Sequence, residues 1–66
     1  MDEKAKLKHL LGHWAEHNED HAGNYLKWAD KAEAWGNAEL ARILRDVASI
    51  EKQTAERFNK SMDLLD

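Results

Sequence analysis

The chain of 66 residues has no cysteine and no proline, and its aromatic residues are three tryptophans, one tyrosine and one phenylalanine. Without cysteine, disulfide bonds and thiolate metal sites are excluded. A domain this short buries little apolar surface, so it usually needs a bound metal, self-association or very good helix packing to be stable. We therefore expect a single domain, residues 1–66, that relies on one of these supports.

Long apolar runs are also absent, and this predicts the setting in which the chain works. No stretch approaches membrane-spanning length, and the first residues lack the apolar segment of a signal peptide. Lysine and arginine are interspersed with acidic residues and form no basic stripe, which argues against nucleic-acid binding. We expect a cytoplasmic protein with neither a membrane nor a nucleic acid as partner.

The sequence does contain a regular helical pattern of apolar residues. Their spacings alternate between three and four, which is typical of paired helices. The first predicted seam comprises Leu7, Leu11, Trp14, Asn18, His21, Tyr25, Trp28, Ala32 and Trp35, and the second Leu40, Leu44, Val47, Glu51, Thr54, Phe58, Met62 (or Ser61) and Leu65. The first pattern continues through Gly23 and predicts one helix over about residues 3–35. The alternative is a helix end at Gly23 and Asn24, which would give three helices.

Gly36 and Asn37 form the better turn signal, because glycine favours the left-handed position after a helix and asparagine favours a helix N-cap. A second helix over about residues 38–65 then completes an all-α fold, an antiparallel two-helix hairpin. With the turn at this point, facing residues should have numbers that sum to about 73. This arithmetic places Trp14 opposite Phe58.

Several large apolar residues lie beside the predicted contact strip. They are Leu10, Trp28, Trp35, Ile43 and Ile50. Because a hairpin covers only one strip of each helix, these side chains need another partner. A second copy would bury them in a four-helix bundle with two-fold symmetry, so we expect a homodimer or a higher homo-oligomer. The alternative is that they dock a different protein.

The histidines of the chain, His9, His13, His17 and His21, are spaced four residues apart on the first predicted helix. Residues at this spacing are neighbours on a helix surface. Each step advances about 40° around the helix, so the run slants and cannot converge on one ion. We expect His17 and His21 to lie nearest the second helix, with Glu51 opposite His21, His13 at the boundary and His9 in solvent.

Two main interpretations of this cluster are open. Imidazole and carboxylate ligands suit zinc, nickel or copper, which predicts a divalent metal site, holding nickel or zinc, at His17, His21 and Glu51 with His13 as a further ligand. The alternative is a hydrogen-bonded polar layer that only fixes helix register. Its members would be Asn18, His21, Glu51 and Thr54. A third possibility is a pH switch, because protonating all four histidines raises the net charge of −3 by four, to +1.

No enzymatic motif has adequate support in this sequence. Residues 13–17 match H-x-x-E-H, the zinc-binding pattern of inverted zinc proteases. However, the chain is too short for a substrate cleft, and Glu16 should face solvent. No glutamate precedes a histidine by three residues, so the di-iron E-x-x-H motif is absent. We expect a non-enzymatic protein that stores, delivers or senses a metal, or else an interaction module.

The histidine segment resembles a family of short, uncharacterised helical domains of archaea and anaerobic bacteria. The shared pattern is H-L-x-x-H-W-x-x-H-N-x-x-H-A over residues 9–22, followed by residues that match Tyr25, Trp28 and Ala29. The resemblance extends over about residues 8–65 but is specific only in the first half. It implies that the four histidines and Asn18 form a defined motif, and it implies a link of some members to nickel-enzyme maturation. The chain departs from the pattern at Gly12 and Gly23.

Overall fold

The computed structural model describes residues 2–65 and contains two helices within them, α1 (Glu3–Ala34) and α2 (Ala38–Met62). They run antiparallel as a hairpin whose Cα atoms extend over 51 × 16 × 10 Å. The hairpin prediction is confirmed, and Gly23 does not interrupt α1. The second helix ends at Met62, earlier than predicted at residue 65, and Leu65 lies beyond it. Within residues 2–65, neither helix combines the length and the apolar character that a membrane span requires.

Local hydrogen bonds explain where each helix begins and where the chain turns. The side chain of Asp2 accepts a hydrogen bond from the N–H of Ala5 at 2.8 Å, and that of Asn37 accepts one from Leu40 at 3.1 Å. Both are N-caps, which satisfy backbone donors that a helix start leaves free. Gly36 adopts a left-handed φ of +85°. This conformation is the one the sequence predicted for it, and it is strained for residues with a Cβ.

The turn closes through a pair of backbone hydrogen bonds of the Schellman type. The N–H of Asn37 donates to the carbonyl of Ala32, and that of Gly36 donates to Glu33, both at 2.9 Å. These bonds satisfy carbonyls at the end of α1 that have no partner within the helix. Because the same three-residue connection ends one helix and starts the next, α2 folds back directly along α1.

The contact between the helices is made mainly of alanines, which corrects the predicted seam. Buried on α1 are Leu11, Ala15, Ala22, Ala29 and Ala32, and on α2 Ala41, Ala48 and Ala55. Three alanines on each helix recur at seven-residue spacing, a period that keeps them on one face of a helix pair. They are Ala15, Ala22 and Ala29 on α1 and Ala41, Ala48 and Ala55 on α2. Small side chains let two helix backbones approach closely, so the buried strip follows the alanines. We call this strip the alanine seam.

The large residues predicted for the seam therefore lie to one side of it. Trp14, Trp28 and Trp35 remain 40%, 50% and 68% exposed, and Leu40 and Val47 are also exposed. Each helix is rotated relative to the prediction, because close packing of alanines displaces bulky neighbours from the contact. The predicted register is nevertheless confirmed, since the rings of Trp14 and Phe58 lie 5.8 Å apart between centroids.

One side of the hairpin carries an ion-pair cluster that bridges the helices. Arg45 donates to Glu33 at 2.9 Å and to Asp30 at 3.1 Å. The hydrogen bond with Glu33, followed by that with Asp30, raises the pKa of Arg45 above its usual value. The guanidinium therefore stays charged throughout the ordinary pH range. The large exposed apolar residues lie on the other side.

Candidate functional site

The histidine run lies along the edge of the alanine seam, and all four imidazoles are exposed. The ring centroids of His13 and His17 are 4.6 Å apart, and those of His17 and His21 are 6.1 Å apart. His21 in turn stacks on Tyr25, with centroids at 6.0 Å. The expectation that His17 and His21 point toward α2 is wrong, because the seam is centred on Ala15 and Ala22 instead.

A polar pair interrupts the alanine seam near its middle. The side-chain amide of Asn18 donates a hydrogen bond to the carboxylate of Glu51, and both residues are half-buried. The pairing arithmetic placed His21 opposite Glu51, whereas Asn18 takes that place because it lies closer to the seam. The hydroxyl of Thr54 donates to the carbonyl of Ile50 within its own helix. Of the four residues predicted as a polar layer, the hydrogen bonds thus join two across the seam.

An open groove of about 470 Å³ runs beside this polar pair. It is lined by His13, Trp14, His17, Asn18, His21 and Phe58. The rings of Trp14 and Phe58, which contact each other, are part of this lining, so the imidazoles lie beside aromatic rings in the groove. Exposed imidazole nitrogens at such a position can bind a metal ion.

Within one chain the histidines lie as neighbouring pairs along α1. Among residues 2–65, no three histidine, aspartate or glutamate side chains come close enough together to hold one ion. Glu51 is engaged by Asn18, and the slant of the run separates His13 from His21. Whether His13, His17, His21 and Glu51 bind a metal stays a prediction, and any third ligand to a histidine pair has to come from a rearrangement or from outside the chain.

The exposed apolar residues form a broad surface on the same side of the hairpin as the histidines. Ile43 and Ile50 are 50% and 60% exposed, and Leu10 is half-buried. Trp28 lies beside Trp35, with centroids 6.5 Å apart, and the ammonium group of Lys31 lies 4.5 Å from the Trp28 ring. We call this surface the apolar face. It comprises Leu7, Leu10, Trp14, Trp28, Trp35, Leu40, Ile43, Val47, Ile50 and Phe58.

The open end of the hairpin carries a shallow recess next to the apolar face. The recess has a volume of about 540 Å³ and is lined by Glu3, Lys4, Lys6, Leu7, Leu10 and Leu65. Reasoning from the sequence assigned Leu7 and Leu65 to the seam and missed this recess. The signal that could have revealed it is the seven-residue repeat of alanines, which shifts the seam away from Leu7.

Comparison with known proteins identifies relatives without assigning an activity. Residues 7–65 match the profile of a domain of unknown function, DUF8180. An uncharacterized protein of Archaeoglobus fulgidus is 33% identical over 60 residues, which cover 91% of this chain and 95% of that protein. No solved structure matches the chain.

Proposed function

The chain belongs to the DUF8180 domain family, and we propose that it is a small helical protein that binds a divalent transition metal through its histidine run. The observation that supports this most directly is the 4.6 Å separation of the His13 and His17 ring centroids. Two exposed imidazoles this close on adjacent helix turns are within reach of a single ion. We propose storage, delivery or sensing of the metal as the role, without catalysis.

His17 is the central ligand in this proposal. His17 neighbours His13 on one helix turn and His21 on the next. Its imidazole is therefore a ligand whichever of the two pairs binds the metal. The ligand chemistry favours nickel or zinc, because neutral imidazoles bind these borderline metals well. A pair leaves coordination positions open, as expected for a metal that is passed on or sensed rather than locked in place.

The test is a titration with nickel and with zinc at neutral pH. We expect His17→Ala to weaken binding by about 10-fold or more. It removes both of the pairs whose ring centroids lie close together, at 4.6 and 6.1 Å. His13→Ala and His21→Ala should each cost less, since each leaves one pair. His9→Ala is the matched control from the same run. Because His9 belongs to neither of these two ring pairs, this change should leave the affinity unchanged.

A second control separates a dedicated site from any exposed histidine pair. In a variant with His13, His17 and His21 replaced by alanine, the exposed residues Lys52 and Glu56 on α2 can be changed to histidine at the same four-residue spacing. The natural run should bind more tightly than this transplanted pair. Equal affinities would contradict the proposal, because an i, i+4 pair on any helix binds metal to some extent.

The second candidate function is an oligomerisation or protein-interaction module, and the exposed apolar face supports it. In that case the pair of Asn18 and Glu51 only sets the register of the helices. The melting temperature would then not depend on metal, whereas a metal that binds the folded state raises it by mass action. Thermal unfolding with and without saturating nickel or zinc distinguishes the two functions.

A further inference from the structure

The apolar face and the histidine run meet at the middle of the hairpin, and we propose that a second copy packs antiparallel on this face and completes the metal site with its own histidines. The metal half of this inference rests on the function proposed above. The packing half depends only on the shape and chemistry of the surface.

Large apolar side chains lie on the same side of both helices. Taking about 100° per residue, Trp14 and Trp28 lie about 60–120° from the alanine seam on α1. On α2, in the same rotational sense, Val47 lies about 100° and Ile50 about 160° from the seam. In an antiparallel pair the same sense means the same side. The contact between Trp14 and Phe58 spans the two helices there. The hairpin is therefore a ribbon with one apolar side.

The other side of the ribbon is unsuited to such packing. It carries the ion pairs of Arg45 with Asp30 and Glu33, which lie at rotations of the opposite sense. Burying these charged groups without new partners would be unfavourable. We therefore expect a second copy to stack on the apolar face and not on the side with the ion pairs.

The broad side of the hairpin that carries the apolar face is large enough for the interface of a stable dimer. The hairpin measures 51 by 16 Å across its broad side, a footprint of roughly 800 Å². Standard stable interfaces bury about 800 Å² on each partner. A copy of the same chain, which has the same length and the same face, fits this footprint over its whole extent.

The position of the histidines gives the orientation. If two antiparallel hairpins overlap along their whole length, the two-fold axis crosses α1 (Glu3–Ala34) at its middle. A residue of α1 then faces the residue of the partner's α1 for which the two residue numbers sum to about 37 or 38. His17 lies opposite the partner subunit's His21 in this arrangement. Trp28 lies opposite the partner subunit's Leu10, which lines the recess at the open end.

This arrangement brings two histidine pairs to one point. His17 and His21 of both copies supply four imidazoles around the two-fold axis, the ligand number of a tetrahedral zinc site. One chain offers only pairs within its described residues, so the partner provides the missing ligands. If the two-fold axis ran parallel to the helices instead, the α1 helices of the two copies would lie diagonally across from each other. The two histidine runs would then not face each other.

The experiment combines a metal-to-protein ratio with a distance. Zinc is the probe, and elemental analysis with sedimentation should give one zinc per two chains. Because the chain has no cysteine, Ala34→Cys at the exposed end of α1 accepts a single spin label. We expect a separation of about 45 Å between the labels of an antiparallel dimer, from 1.5 Å per residue on both sides of the axis. Labels within about 20 Å would indicate a parallel dimer and overturn the inference.

Two variants separate the halves of the inference. Ile43→Lys with Ile50→Lys puts charges on the apolar face and should weaken dimerisation by about 100-fold or more, with helicity unchanged in circular dichroism. His17→Ala with His21→Ala should abolish the shared zinc while the chains still associate. A monomer that binds one zinc per chain would overturn this inference but leave the proposed function standing. An antiparallel dimer of the native chain that binds neither zinc nor nickel would overturn the shared site together with the proposed function.

Discussion

The alanine seam and the apolar face are built from side chains of opposite size. The seam buries alanines completely, as at Ala22 and Ala29, while the face leaves Trp35 and Ile50 68% and 60% exposed. A protein that buried its largest apolar groups first would show the reverse, since burial stabilises in proportion to apolar area. The contrast indicates that the seam determines how closely the two helices approach and that the face is available for a second interaction.

The alanine seam and the apolar face also differ in what limits their contribution to stability. No large side chain among the described residues is fully buried, so the seam gains its stability from close packing over a long contact rather than from area per residue. The face has ample apolar area but lacks a partner in one chain. Substitutions in the seam should therefore act on folding, and substitutions in the face should act on association.

The largest effect is expected where the seam is overfilled. Ala22→Leu inserts a bulky group at a completely buried position and should lower the free energy of unfolding by about 1–3 kcal/mol. Ala34→Leu, at an exposed position of the same helix, is the matched control and should change it by less than about 0.5 kcal/mol. Urea unfolding of both variants measures the difference. Equal effects would show that the alanine contact is not tightly packed.

The next effect concerns the turn that holds the seam in register. Gly36→Ala forces a residue with a Cβ into a left-handed conformation at φ +85°, which should cost about 1–2 kcal/mol. The position has open space around it, so backbone strain rather than a clash is the cause. Thermal unfolding measures the loss. A variant as stable as the native chain would mean that the alanine contacts alone fix the turn.

A smaller effect is expected at the polar pair within the seam. Glu51→Leu leaves the half-buried amide of Asn18 without its partner and should cost about 1 kcal/mol. Adding Asn18→Leu removes the unpaired group, and the double variant should recover that loss or exceed native stability. Its association state should become less uniform if the pair specifies register. Urea unfolding and sedimentation of the single and double variants check both expectations.

The smallest effect is expected on the charged side. Arg45→Ala removes exposed ion pairs, and its small destabilisation should shrink further as salt screens the charges. The pKa of Arg45 is raised by its hydrogen bonds to Glu33 and then to Asp30. Its contribution to stability is therefore fully present below the unfolded-state pKa, which is strongly alkaline, and is lost only as the pH rises through the folded-state pKa. The difference from the native chain should thus be the same at about pH 7 and pH 9, as thermal unfolding would show. A decline over that interval would contradict this account.

The sequence by itself determined the helical hairpin, the position of its turn and the pairing of Trp14 with Phe58. These features follow from local rules, because glycine suits a left-handed turn, asparagine caps a helix, and the turn position fixes which residues lie at the same depth. The spacing of the histidines likewise fixed their neighbours along α1. Both alanine repeats were also present in the sequence, although the larger apolar residues gave the more prominent pattern.

Only the tertiary structure decided how each helix is rotated about its axis. Two faces of each helix carry apolar residues, and the choice between them depends on which packs more closely against the other helix, a property of both helices together. The alanine faces of the two helices pack against each other, so Asn18 rather than His21 contacts Glu51. That rotation exposed the histidines and tryptophans on one side of the hairpin, where they can meet a metal ion or a second chain.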